Sequence, residues 1–200
     1  MKRTILSIII FFSILLIGCS NSSSNSSENE YIFRNIPYKT HYDKAKEILF
    51  KSLKAEGITK ELTETINGNI IKLETNEKVD IAGHKADGCI CYFVNEDDES
   101  VLDTNNLNKA IIKSGKYYFY TKNSEELNTI YNDILDKLIK LYGEPTIRDD
   151  ENKRIKWKSE TEKTVINLRG AEKISEIDLE YVYFYLDDNT ENSDNNYNGL

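Results

Sequence analysis

Apolar residues recur through the middle of this chain in two rhythms, one of helical and one of strand period. In HYDKAKEILFKSLKAEG, Tyr42, Ala45, Leu49 and Leu53 fall at helical spacing with Ile48 beside them, which predicts a helix from about His41 to Glu56. Thr40 is placed to cap its first turn with Asp43 at the third helical position, and Gly57 to end it. Leu62 to Ile66 and Ile70 to Glu74 flank Asn67-Gly68, a dipeptide suited to the positive φ of a two-residue turn, so these segments read as a hairpin. A third strand is predicted over Gly88 to Val94, with Cys89, Cys91 and Phe93 on one face, and a fourth over Ala110 to Tyr120. The intervening NEDDESVLDTNN is polar enough for a loop. Asn123-Ser124-Glu125-Glu126 opens a second helix whose stripe is Leu127, Ile130, Tyr131, Ile134, Leu135, Leu138 and Leu141, and Gly143 with Pro145 closes it. Strands over about Arg154 to Ser159, Thr164 to Arg169 and Ile177 to Leu186 follow, alternating well enough to imply one covered face.

Helix followed by meander thus occurs twice. The pattern predicts an α+β fold: an antiparallel sheet of about six or seven strands with two helices packed on one face. A tandem helix-plus-meander repeat is one reading of that order. Residues 31–186 suit a single domain with a real core.

The two ends of the chain follow different rules. Lys2 and Arg3 precede an uncharged apolar run from Ile5 to Ile17, the pattern of a secretory signal. That run is shorter than the roughly 20 residues a membrane-crossing helix needs. It ends in Leu16-Ile17-Gly18-Cys19, which resembles the lipobox of bacterial lipoproteins. The resemblance implies cleavage before Cys19 and lipid on Cys19, leaving residues 1–18 as signal peptide. Residues 19–30 are then the lipidated cysteine and a Ser/Asn linker, SNSSSNSSENE, with too little apolar surface to offset its ordering entropy. Residues 187–200, DDNTENSDNNYNGL, read in the same way as a disordered acidic tail.

Charge narrows the partners. The chain holds 26 Lys and Arg against 34 Asp and Glu, a formal net charge of −8, and loss of Lys2 and Arg3 with the leader takes it to about −10. No basic footprint for nucleic acid is present, and attachment to an anionic membrane falls to the lipid on Cys19. His41 and His84 are the only histidines, and no Ser-His-Asp grouping, phosphate loop or helix-borne metal motif accompanies them. The Cys89-Ile90-Cys91 pair lacks the four donors of a closed zinc site and reads as two small buried hydrophobes beside Phe93. The acidic runs Glu96 to Glu99 and Asp149 to Glu151 lack the alternating ligands of a calcium loop and read as solvated. No catalytic residue, metal site or cofactor is therefore assigned.

IPYKTHYDKAKEIL, and KLYGEP followed by Trp157, resemble the entry segments of BamE-like and beta-lactamase-inhibitor-protein-like extracytoplasmic domains, with Lys39 where a Gly is expected. The resemblance implies helices on one face of an antiparallel sheet and protein binding as the role. A surface for it is suggested by the last strand. Asp178 and Glu180 share a face with Val182 and Phe184, which places that face toward solvent, beside Tyr118 and Tyr120 of the fourth strand. The resulting expectation is a noncatalytic, lipid-anchored binding module on the extracytoplasmic side of the cell membrane, with a protein partner and no nucleic acid. A solute- or metal-binding lipoprotein, or an envelope enzyme of unrecognised type, are the alternatives.

If the lipid on Cys19 is the anchor, Cys19→Ala leaves the domain folded and releases it from membranes, because one covalent site carries the attachment. Fractionation after a high-salt wash checks this; a Cys19→Ala chain that still pellets removes the lipobox reading.

Overall fold

The computed structural model describes residues 32–96, 106–161, 163–171 and 176–184. Cys19, the leader, the linker and the C-terminal segment from residue 185 lie outside them. The order is a short 3-10 turn (Phe33–Asn35), α1 (Tyr42–Ala55), β1 (Thr63–Asn67), β2 (Ile70–Thr75), β3 (Val79–Ile81), β4 (His84–Ala86), β5 (Gly88–Asn95) and a second 3-10 turn (Leu107–Lys109). Next come β6 (Ala110–Tyr120), α2 (Ser124–Tyr142), β7 (Ile147–Asp149), β8 (Arg154–Ser159), β9 (Thr164–Ala171) and β10 (Glu176–Tyr183). Eight strands form one antiparallel sheet in the order β1-β2-β5-β6-β10-β9-β8-β7, and β3 pairs with β4 in a separate hairpin. The fold is α+β. Among the described residues no helix is long and apolar enough to cross a membrane.

The strand count exceeds the expected six or seven because β3, β4 and β7 have three residues each, too few to show alternation. Two local expectations also change. Thr40 does not cap α1: its hydroxyl donates to Pro37 O at 2.6 Å, and His41 holds the cap position without a side-chain bond to the helix's first turn. The β1–β2 turn is Gly68-Asn69 rather than Asn67-Gly68, since Asn67 pairs with Ile70. Gly68, at φ +62, supplies the one positive φ a turn with Gly in its first position needs. The reason for the shift is register. The observed pairing sets Ile66 opposite Ile71, whereas a turn one residue earlier would set Ile66 opposite Asn69.

The second helix forms as its sequence suggests. The Asn123 side chain accepts from the amides of Glu125 (2.9 Å) and Glu126 (3.4 Å), satisfying donors the first turn leaves unpaired. Leu127, Tyr131, Ile134, Leu135 and Leu138 are buried. They share one hydrophobic cluster with Tyr42, Ala45, Leu49 and Leu53 of α1. The same cluster takes in Cys89, Cys91 and Phe93 of β5, Tyr117 and Phe119 of β6, Ile166 and Leu168 of β9 and Ile177, Leu179, Tyr181 and Tyr183 of β10. Trp157 of β8 is buried within it and donates its indole N–H to Gly143 O at 2.9 Å, tying β8 to the end of α2.

The entry segment crosses the middle of the sheet. Phe33 N donates to the Tyr183 hydroxyl at 3.0 Å, and that hydroxyl donates to Ile36 O at 2.6 Å. The Phe33 ring lies against Tyr117 and Tyr181 (centroids 5.0 and 5.9 Å) and directly over Gly115. A Cβ on Gly115 would sit 2.2 Å from that ring. Gly115→Ala is therefore expected to lower stability by about 1–3 kcal/mol through overpacking, read as a fall of several degrees in melting temperature; an unchanged melting temperature would show that Phe33 is not fixed there.

Candidate binding face

Alternation divides the sheet. The odd-numbered residues of β10 go into the core, so Glu176, Asp178, Glu180 and Val182 share the opposite face. Cross-strand pairing carries that face onto β6 through Tyr120, Tyr118, Lys116 and Ser114, and onto β9 through Ala171, Arg169, Asn167 and Val165. It continues over Lys72 and Glu74 of β2, Ile90 and Tyr92 of β5, and Arg154, Lys156 and Lys158 of β8.

The middle of the face is ionic. Glu176, Asp178 and Glu180 stand at successive outward positions of one strand, roughly 7 Å apart, where three carboxylates repel one another. A cation from each neighbouring strand offsets this. Lys116 Nζ lies 3.1 Å from Asp178 and 3.9 Å from Glu176, while Arg169 lies 3.6 Å from Asp178 and 3.4 Å from Glu180. The three carboxylates are only 15–19 % exposed, so the pairs are weakly screened yet carry a desolvation cost. Burial and then the charge of Asp178 raise the Glu176 pKa, against the pull of Lys116 and a hydrogen bond from Tyr120.

The four residues nominated from sequence all have places on this face but do not form one patch. Val182 is opposite Ser114, whereas Tyr118 is opposite Asp178 and Tyr120 opposite Glu176, so the aliphatic and Tyr pairs stand at opposite ends with the ion pairs between. Val182 and Phe184 are half-buried, and Phe184 lies beneath Lys158 Nζ and Lys163 Nζ at 5.3 and 6.0 Å from its centroid. Tyr118 is buried: its ring lies over Gly88, where a Cβ would meet its hydroxyl at 2.3 Å, and that hydroxyl donates to Asn76 Oδ1 at 2.6 Å. Burial raises its pKa to about 12. Tyr120, 57 % exposed, is the open ring, tilted at 52° to Tyr118 with centroids 5.5 Å apart.

The remaining sequence candidates lie elsewhere. Cys89 and Cys91 are free thiols in the core. Burial pushes the Cys89 thiol up to about 11 despite the nearby Arg34 guanidinium, and burial also raises Cys91 well above its ordinary value, so neither is a reactive thiolate near neutral pH. His41 Nδ1 is 3.0 Å from Asn108 O. His84 Nε2 is 2.5 Å from Asp133 Oδ2, which also binds Lys137, and Lys137 donates to Ala82 O at 2.6 Å. These contacts fasten the β3–β4 hairpin to α2. Among the described residues no group of three or more His, Cys, Asp or Glu side chains is arranged to hold a metal.

Sequence reasoning passed over the ionic ladder and the cations of β8. Their signal was present as charges at every second position in RIKWKS and EIDLE, but the facing partner Lys116 on β6 is distant in sequence. The chain matches no family model, no curated protein and no solved structure.

The raised pKa of Glu176 has a definite sign. A carboxyl held above its unfolded value contributes stability at pH below the unfolded pKa and loses it as pH rises through the folded one. Glu176→Gln, which cannot ionise, should match or exceed the parent in melting temperature at pH 7 and show no advantage at pH 4. A fall of several degrees at pH 7 would instead mean that pairing with Lys116 outweighs the cost of burying the charge.

Proposed function

We propose that this chain is a lipid-anchored, extracytoplasmic and noncatalytic module that binds another protein through the open face of its sheet, with the membrane reached only through lipid on Cys19. We further infer that α1 and α2 lie on the same side of that sheet and that the domain is a tandem duplication. Supporting the first inference, the buried stripes of both helices join one cluster with Ala110, Ile112, Tyr117 and Phe119 of β6 and the odd-numbered residues of β10. Supporting the second, β1-β2-β5-β6, with the β3–β4 hairpin inserted after β2, and β7-β8-β9-β10 are each four antiparallel neighbours that follow a helix closed by a positive-φ glycine, Gly57 or Gly143, and they meet at their last strands. Lys39 takes φ +59, a conformation natural to the glycine expected there in the extracytoplasmic domains that the entry segment resembles.

The observation that carries the binding role is the composition of the outer face. It combines an exposed Tyr120, half-buried Val182 and Phe184 and a fixed array of ion pairs, and preorganised charge with aromatic anchors is the chemistry of a selective protein interface. Phe184→Ser and Tyr120→Ala should leave the melting temperature within a few degrees of the parent while weakening capture of the partner. A photo-crosslinking residue at position 120 should give a discrete adduct in cells, and one at Phe50, exposed on α1, should give none. An adduct from position 50 alone, or unfolding of Phe184→Ser, would sink this assignment of the interface.

A further inference from the structure

Strand β8 turns three cations in succession, Arg154, Lys156 and Lys158, onto the outer face, and all three are exposed. Arg169 of β9 pairs directly with Arg154 in the register. Like charges in facing positions cost stability, and in a chain of net charge −8 such a concentration runs against the general balance. The nearby carboxylates offset the row only in part. Asp149, opposite Arg154 on β7, accepts from the Asn152 amide and side chain at 3.1 and 2.8 Å. Asp178 and Glu180 hold Arg169, and Glu160 pairs with Lys158 at 2.7 Å.

We propose that this cationic row is the docking site of the chain's own acidic C-terminal segment. Residues 185–200, which lie outside the described residues, contain Asp187, Asp188, Glu191 and Asp194 and no Lys or Arg. The described chain stops beside the row. Thr164 pairs both with Ser159 of β8 and with Tyr183 of β10, so β10 ends level with the Lys158 end of β8. Phe184 N donates to Lys163 O at 2.9 Å, and the Phe184 ring lies beneath Lys158 on the outer face. Two interstrand spacings, roughly 10 Å, separate β10 from β8. Three extended residues span about that distance, which brings Asp187 and Asp188 to Lys158. Three residues more carry Glu191 along β8 toward Lys156 and Arg154. A segment tethered this close is present at high effective concentration, so weak individual pairs suffice to hold it over the row. Docked there, it covers the β8–β9 part of the outer face and screens the Arg154–Arg169 repulsion. This inference depends on neither the lipid anchor nor a protein partner.

Zero-length carbodiimide coupling of the full chain tests it, because the reagent joins a carboxylate to a lysine only when the two are in contact. Equal amounts of normal and 15N-labelled chain separate bonds within one molecule from bonds between two, and the exposed Lys44–Glu47 pair, 2.8 Å apart, serves as an internal standard. At low ionic strength, peptide mapping should place amide bonds from Asp187, Asp188 or Glu191 on Lys156 and Lys158 of the same molecule. Charge reversal at the two arginines, Arg154→Glu with Arg169→Glu, leaves both lysines available and should cut that yield at least about fivefold. Added salt at 0.5 M should do the same through screening. Tail bonds spread over Lys44, Lys51 and Lys140 as often as over Lys156 and Lys158, or yields indifferent to the arginines, would overturn the proposal. Bonds only between labelled and unlabelled chains would replace it with docking onto a second copy.

Discussion

The antiparallel pairing of β6 with β10 is the constraint on which the rest of this structure depends. Residues 114–120 and 176–182 lie more than fifty positions apart, yet they align from Tyr120 opposite Glu176 to Ser114 opposite Val182. Bringing them together costs loop-closure entropy that only burial of the facing side chains can offset. The pairing joins the two meanders into one sheet and, because side chains alternate, decides for both halves at once which face is dry.

The dry face is unusual in carrying the tyrosines of the last strand. Aliphatic residues ordinarily outcompete Tyr for such positions, because a buried hydroxyl without a partner costs more than its ring gains. Here the entry segment supplies partners: the Tyr183 hydroxyl takes the Phe33 amide and gives its proton to Ile36 O. The same segment lays Phe33 over Gly115, where the absence of a side chain on β6 opens the needed space. Packing against Tyr181 and the polar needs of Tyr183 are thus met by one piece of chain, and Asp178 and Glu180 are forced outward, where Lys116 and Arg169 can reach them.

On the proposed reading, that outward array is what would make the face selective. An aliphatic sheet face would bind unselectively and aggregate, whereas carboxylates and cations held in cross-strand register favour partners with the complementary arrangement and reject others. The aromatic groups stand at the two ends, Tyr120 at one and Phe184 at the other, leaving charge in the centre.

Much of this was legible in the sequence. The periods of α1, α2, β5, β6 and β8 locate those elements to within a residue or two, because each runs long enough for its apolar repeat to stand out. Alternation in EIDLEYVYF also separates Ile177 and Leu179 from Asp178 and Glu180 with no knowledge of neighbours. The three-residue strands β3, β4 and β7 were not legible, since their existence rests on partners rather than on local pattern. Nor was the burial of Tyr118, which follows from the glycine at position 88 on the adjacent strand and from Asn76 beyond it. Local sequence determined the elements and the two faces of each strand, because periodicity is a property of neighbouring residues. Which charges meet, which rings are covered and where the two ends of the outer face lie were decided by tertiary structure alone, because those contacts join strands that the chain visits at widely separated points.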